Sequence, residues 1–257
     1  MNHSNVRKTA GILVLLAAAC IAGYPQSPTE SSKAAALNRA GVRALNEGNL
    51  DEALALFRES IAMMPRYAEA QANLGKALYA KGDIQAAREA LQTALASDPR
   101  SAAAYNDLGA TYAAMGLTEK AAETLEKGLS LRPESAISRY NLGCVYIRMG
   151  RYEDARDQLR RAASLQTENA EIFLNLGYVL IRLKKYTEAV QALRSAARLE
   201  PGDIQIHSLL GTAYVALKDK AAALSEYNVL AKQDVTVAKR LLDLIFADQL
   251  VAADASK

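Results

Sequence analysis

The feature that most restricts the fold of this chain is a repeat of 34 residues. Pro65, Pro99, Pro133 and Pro201 are separated by 34, 34 and 68 residues. A unit of this length is too short to bury a core of its own, so such units stack on one another. Six units fit the chain without an insertion: 34–67, 68–101, 102–135, 136–169, 170–203 and 204–237.

Two columns of small residues run through all six units. The eighth place of each unit is glycine and the twentieth is alanine. Glycine costs about 1 kcal/mol inside a helix, so six glycines in register require a packing reason. We predict that each unit is a hairpin of two antiparallel helices that cross too closely at these places for a larger side chain. The twenty-fourth place completes this crossing with Phe57, Leu91, Leu125, Leu159, Leu193 and Tyr227.

Further places carry a recognisable pattern, which includes Asn73-Leu-Gly75, Ala94, Pro99, Tyr112, Ala121 and Leu125. It resembles the tetratricopeptide repeat (TPR). The resemblance implies an all-α fold, a right-handed α-solenoid of six TPR hairpins with the first helix of each hairpin on the concave side. Thr167 and Val235 depart from the pattern, because they replace the proline of units four and six. Residues 238–257 are predicted to form a C-terminal capping helix and a tail.

The first 19 residues have the layout of a signal peptide, because a basic segment precedes an apolar run. Leu16-Ala17-Ala18-Ala19-Cys20 resembles a bacterial lipoprotein box, which implies that the peptide bond before Cys20 is cut and that Cys20 becomes the lipid-bearing N-terminus. Cleavage near Ala19 without lipidation and an uncleaved anchor are the alternatives. By resemblance, Ile21 after the cysteine favours the outer membrane. Residues 20–33 contain two prolines and three serines, and we predict a flexible tether there.

Charge and composition argue against several functions. Without Arg7 and Lys8 of the signal peptide, 29 basic residues stand against 28 acidic ones, so nucleic acid is not expected as a partner. No nucleotide-binding, metal-binding or nucleophile motif occurs, and His207 is predicted to pack in the core. Cys144 is either a small buried residue or a redox-sensitive one. We therefore expect no enzyme, no metal and no cofactor.

The sixth place of the first helix is mostly polar. It holds Asn73, Asp107, Asn141 and Asn175, between Arg39 in unit one and Leu209 in unit six. Such a ladder resembles the one that lines the TPR region of O-linked GlcNAc transferases, which implies hydrogen bonds to the backbone of an extended peptide. The alternative is that these asparagines belong to the TPR consensus and bond locally.

Units four and five place an apolar patch on the same face, at the fifth, ninth and twelfth places. We define this patch as Tyr140, Cys144, Ile147, Leu174, Tyr178 and Ile181. Units two and three are more polar there, with Lys76 among the predicted groove residues. An exposed apolar patch marks a binding site more often than chance, but superhelical curvature or the C-terminal helix would also explain it. Arg148 and Arg182 share the thirteenth place and either pair with a carboxylate or remain solvated.

These patterns favour an exported scaffold that binds peptide or protein segments in its groove and helps to assemble a cell-envelope complex. The expected location is a membrane lipoprotein facing the periplasm, and the alternative is a soluble periplasmic or secreted protein. Two other functions remain open at this stage. One is a structural protein that forms homo-oligomers, and the other is a regulatory arm of a separate enzyme.

Overall fold

The computed structural model describes residues 28–247, which contain 13 helices and no strand. The signal peptide, Cys20 and residues 248–257 lie outside the described residues. The helices are α1 Pro28–Asn46, α2 Leu50–Met63, α3 Ala68–Lys81, α4 Ile84–Ser97, α5 Ala102–Ala114, α6 Thr118–Leu131, α7 Ala136–Arg148, α8 Tyr152–Leu165, α9 Ala170–Arg182, α10 Tyr186–Leu199, α11 Ile204–Ala216, α12 Lys220–Ala231 and α13 Val235–Ile245.

The first twelve helices form six antiparallel hairpins, one in each predicted repeat unit, which confirms the α-solenoid. The first helices of successive units contact one another. The second helices of successive units make no such contacts within the described part of the chain. Because the first helices lie closer together than the second helices, the array bends with the first helices on its concave side.

The predicted glycine crossing is confirmed in units one to five. A Cβ atom on Gly75 would lie 2.5 Å from Leu91 Cγ and 3.2 Å from the Ala87 carbonyl oxygen. The glycines of units one, three, four and five meet the residue at the twenty-fourth place in the same way. Side-chain contact at this distance leaves no room for any residue larger than glycine.

The crossing predicted for unit six is wrong, because Gly211 lies against Leu241 of α13 rather than against Tyr227. Helix α13 begins at Val235, three residues before the predicted start. Asp234 caps this helix, because its side chain accepts hydrogen bonds from the backbone N–H groups of Thr236 and Val237, at 2.8 and 3.0 Å. Helix α13 contacts both α11 and α12, in the position that the first helix of a seventh unit would take.

The tether prediction is wrong for residues 28–33, because α1 already begins at Pro28, and residues 20–27 lie outside the described residues. Proline is well suited to the first turn of a helix, where its missing N–H has no intrahelical partner. Glu30 lies in the same turn, where a negative charge stabilises the positive end of the helix dipole.

In units two, four and six, the side chain at the fourth place hydrogen-bonds the proline carbonyl in the turn that precedes the unit. Gln71 Nε2 donates to the Pro65 carbonyl at 2.5 Å, and Arg139 Nε donates to the Pro133 carbonyl at 2.9 Å. His207 repeats this arrangement, with its Nε2 2.9 Å from the Pro201 carbonyl oxygen and its Nδ1 2.6 Å from a carboxylate oxygen of Glu226. The predicted core histidine is thus buried, but it also ties a turn to α12.

Replacing Gly143 by Leu should lower the free energy of unfolding by about 1–3 kcal/mol, because the new side chain would collide with Leu159, 2.8 Å from the Cβ position. Urea denaturation of the purified protein measures the change. Gly202→Ala is the control, because a Cβ atom on Gly202 has no neighbour within 4 Å. Equal unfolding midpoints for wild type and Gly143→Leu would contradict the crossing.

The His207 contact predicts that stability falls as the pH rises. Burial lowers the pKa of His207, but hydrogen bonds to Glu226 and the Pro201 carbonyl outweigh it, helped by the charge of Asp203, so the pKa is raised. The stabilisation is then complete below the unfolded pKa of about 6.5 and is lost as the pH rises through the higher folded value. Urea titrations from pH 5 to 8 should show this loss. His207→Gln, which copies Gln71, should remove it, and an unchanged pH dependence in this variant would refute the assignment.

Candidate functional site

All ten predicted groove residues lie on first helices, distributed over α3, α5, α7 and α9. Lys76 is exposed, and the other nine are half-buried. They are Asn73, Asp107, Tyr140, Asn141, Ile147, Leu174, Asn175, Tyr178 and Ile181.

The asparagine ladder, which we define as Asn73, Asn141 and Asn175, joins neighbouring units. Asn73 Nδ2 donates to Asn38 Oδ1, and Asn141 Nδ2 donates to Asn106 Oδ1, both at 2.9 Å. Asn175 Nδ2 donates to the Tyr140 hydroxyl at 3.3 Å and to the Glu171 carbonyl at 2.9 Å. The amide nitrogens are therefore used within the array. The three side-chain oxygens accept no hydrogen bond within residues 28–247 and remain available to a ligand.

Asp107 occupies the place where the ladder is interrupted. Ala72, the residue at the fifth place of the preceding unit, has no side-chain acceptor. Asp107 instead accepts a hydrogen bond from Asn106 Nδ2 at 3.1 Å. Burial raises the pKa of Asp107, while the Asn106 bond and the positive charge of Lys76 lower it less strongly. This position therefore holds a carboxyl group whose charged form is disfavoured by burial, in place of the amide found elsewhere in the ladder.

The apolar patch is neither fully covered nor fully open. All six of its side chains are half-buried. Tyr140, Ile147, Tyr178 and Ile181 pack with one side against the core of units three to five. Helix α13 contacts only α11 and α12 among the described helices, so it does not lie over the patch. The patch therefore keeps accessible apolar surface in the groove.

The two arginines at the thirteenth place are held by neutral groups. Arg148 Nη1 donates to the Ala113 carbonyl at 2.8 Å. Arg182 Nη1 donates to the Tyr178 hydroxyl at 3.0 Å, and its guanidinium lies 4.6 Å from the centre of the Tyr152 ring. Neither arginine has a carboxylate within 4.0 Å in the described part of the chain.

Two cavities lie on the concave side, and only the smaller one includes residues that the sequence placed in the groove. The larger, about 630 Å³, lies between α11 and α13 and is lined by residues that include Leu209, Arg240 and Leu244. The smaller, about 220 Å³, lies at the boundary of units three and four and is lined by residues that include Tyr79, Tyr140 and Arg148. The first arises because α13 extends the row of first helices, which the 34-residue spacing did not show.

No group of three or more His, Cys, Asp or Glu side chains in residues 28–247 is arranged to hold a metal ion. Burial raises the pKa of the Cys144 thiol, so the reactive thiolate is disfavoured at neutral pH. None of the helices in this range combines the length and apolar content needed to cross a bilayer.

Comparisons with known proteins agree with this geometry. Family models described as tetratricopeptide repeat match residues 44–112 and 180–245, residues 100–168, and residues 140–204. A comparison with curated protein sequences found no match.

Several solved structures share the fold. Pseudomonas aeruginosa pilF is 22% identical, with a TM-score of 0.75 over 83% of this chain and 98% of that one. YrrB, described as a TPR protein with an unusual peptide-binding site, is 22% identical, with a TM-score of 0.64 over 72% and 96% of the two chains. MamA is 29% identical, with a TM-score of 0.57 over 66% and 97%. The chain belongs to the tetratricopeptide-repeat family, and its fold is that of a protein–protein interaction scaffold.

Proposed function

We propose that this protein is an exported scaffold that captures peptide or protein segments in its concave groove and mediates assembly of a cell-envelope complex. The observation that carries the groove assignment is the partly open apolar patch beside the asparagine ladder. Apolar surface contributes to affinity when a ligand displaces water from it. Amide oxygens without a hydrogen-bond partner in the array can orient the ligand by accepting hydrogen bonds from it.

The ladder suits a ligand that offers backbone N–H groups. Asn73, Asn141 and Asn175 use their nitrogen atoms to bond the preceding unit, which fixes the orientation of each amide. A fixed acceptor loses little side-chain entropy when a ligand binds. An extended peptide segment, with donors repeated along its backbone, matches such a row. The peptide-binding site named for the YrrB structure supports the same use of this fold.

Export and membrane attachment rest on the sequence of residues 1–33. The apolar run from Gly11 to Ala22 is 12 residues long, which is shorter than the roughly 20 residues that a membrane-spanning helix needs. A signal peptide followed by a lipidated Cys20 accounts for this length and for the small residues before the cysteine. The segment up to Pro28 would then connect the lipid anchor to α1, facing the periplasm.

Replacing Tyr140 and Tyr178 by Ala together should abolish capture of groove partners. Both rings contribute to the patch, and their removal deletes its largest apolar surfaces. Crosslinking in native membranes, followed by mass spectrometry, compares the partners of the variant with those of the wild type. Tyr186→Ala is the matched control, because it removes a half-buried tyrosine from a second helix. Partners that persist in the double variant would place binding outside the groove.

Lipidation of Cys20 is tested by metabolic labelling with a fatty acid. The wild type should incorporate the label, and Cys20→Ser should not, because the thioether bond to the lipid requires the thiol. Cys144→Ser controls for the second cysteine of the chain and should keep the label. Absence of label from the wild type, or its persistence in Cys20→Ser, would reject the lipoprotein assignment and leave groove binding unaffected.

A further inference from the structure

Arg148 is held at the wall of the smaller concave cavity. Its Nη1 donates to the Ala113 carbonyl near the C-terminal end of α5, which also accepts a hydrogen bond from the Gly116 backbone N–H at 3.1 Å. The same guanidinium lines the cavity of about 220 Å³ together with Tyr79, Tyr140 and Cys144. An apolar side chain of a ligand that entered this cavity would therefore lie beside a positive charge.

Arg182 is held one unit further along the array. The Tyr178 hydroxyl accepts its Nη1 hydrogen bond, and the rings of Tyr152 and Tyr178 lie 4.6 and 5.9 Å from the guanidinium carbon. Stacking and hydrogen bonding limit the rotamers of a side chain that is otherwise exposed. The guanidinium keeps further N–H donors for a ligand.

The charge of these two arginines is uncompensated, unlike that of several arginines on the second-helix side. Arg151 pairs with Asp154, and Arg160 pairs with Glu188. Arg148 and Arg182 make no ion pair within residues 28–247. Three acidic groups of this face are Glu69 and Glu171, which lie in the first turns of α3 and α9 at the opposite end of the first helices, and Asp107, which lies near the middle of α5 and interacts with the charge of Lys76. The groove edge beside the arginines is therefore positive.

We propose that Arg148 and Arg182 bind two side-chain carboxylates of a partner segment whose apolar residues occupy the patch and the adjoining cavity. This inference rests on the proposed function, because it specifies the ligand of the same groove. Guanidinium groups bind carboxylates through paired hydrogen bonds, and groups already held in place lose less entropy on binding. Acidic residues beside apolar ones thus define the class of partner.

The spacing of the arginines favours internal residues of the partner over its C-terminal carboxylate. Arg148 and Arg182 occupy the same place in adjacent units, and packed helices lie about 8–10 Å apart. One terminal carboxylate reaches one of the two guanidiniums. Two acidic side chains on one face of the partner satisfy both when they are separated by about 10 Å, which is about three residues in a polyproline-II segment or seven in a helix.

A phage-displayed library of random 12-residue peptides provides the test. Peptides are selected on the folded wild-type protein, and those whose binding is lost with Tyr140→Ala, Tyr178→Ala are retained as groove ligands. We expect these ligands to be enriched in pairs of Asp or Glu around apolar residues. Arg148→Gln and Arg182→Gln should each weaken their binding roughly tenfold, and 0.5 M salt should weaken it as well. Arg100→Gln, which removes an exposed arginine from a turn between units, should leave affinity unchanged.

The outcomes separate this inference from the proposed function. Groove ligands without acidic enrichment, or with affinity insensitive to both arginine substitutions, would overturn the carboxylate assignment and leave groove binding intact. Enrichment for a single acidic residue at the peptide C-terminus would also overturn it. Failure to select any peptide that depends on Tyr140 and Tyr178 would overturn both.

Discussion

The structure depends on the close contact between the two helices of each hairpin. In units one to five, a glycine of the first helix lies against the side chain at the twenty-fourth place, and a Cβ atom would collide there. This contact determines how closely the two helices of the hairpin approach each other, and therefore which side chains of the first helix face the second helix. The remaining side chains of the first helix are free to contact the next unit and the groove. The surface that the first helices present to the groove is thus a consequence of where the glycines lie.

Polar contacts between units then determine the spacing of the first helices. Asn73 and Asn141 bond the fifth place of the preceding unit, while Gln71, Arg139 and His207 bond the carbonyls of the turns. Such buried or half-buried bonds are directional, whereas apolar contacts tolerate sliding. The ladder is consequently a part of the array and, in the function we propose, also a surface that faces a ligand. Its nitrogen atoms serve the first role, and its oxygen atoms are available for the second.

The candidate site was only partly predictable from the sequence. The chosen residues do lie on the first helices of their units, because the repeat alone assigns each place to one of the two helices. The partners of those residues were not identified, because contacts such as Asn141 with Asn106 and Arg148 with Ala113 join residues 35 apart, one more than the repeat. Lys184 and Lys218 likewise adopt positive φ angles of 58° and 61° at a turn place that units one to four give to glycine. The turn geometry is conserved in the array even where the glycine signal is absent.

The sequence by itself determined the period, the number of hairpins and the register of their crossing, because these depend on contacts that every unit repeats. It also determined that the first helices carry a polar row and an apolar patch. Only the tertiary structure decided the ends of the array and the state of individual groove residues. Helix α13 begins three residues before the start that the sequence predicted, and its Leu241 side chain packs against Gly211. Helix α1 begins before the first repeat unit. These features depend on the packing at the two ends of the array, where a helix has a neighbouring unit on one side only. A pattern that repeats in every unit carries no information about this packing, because the end helices do not follow the repeat.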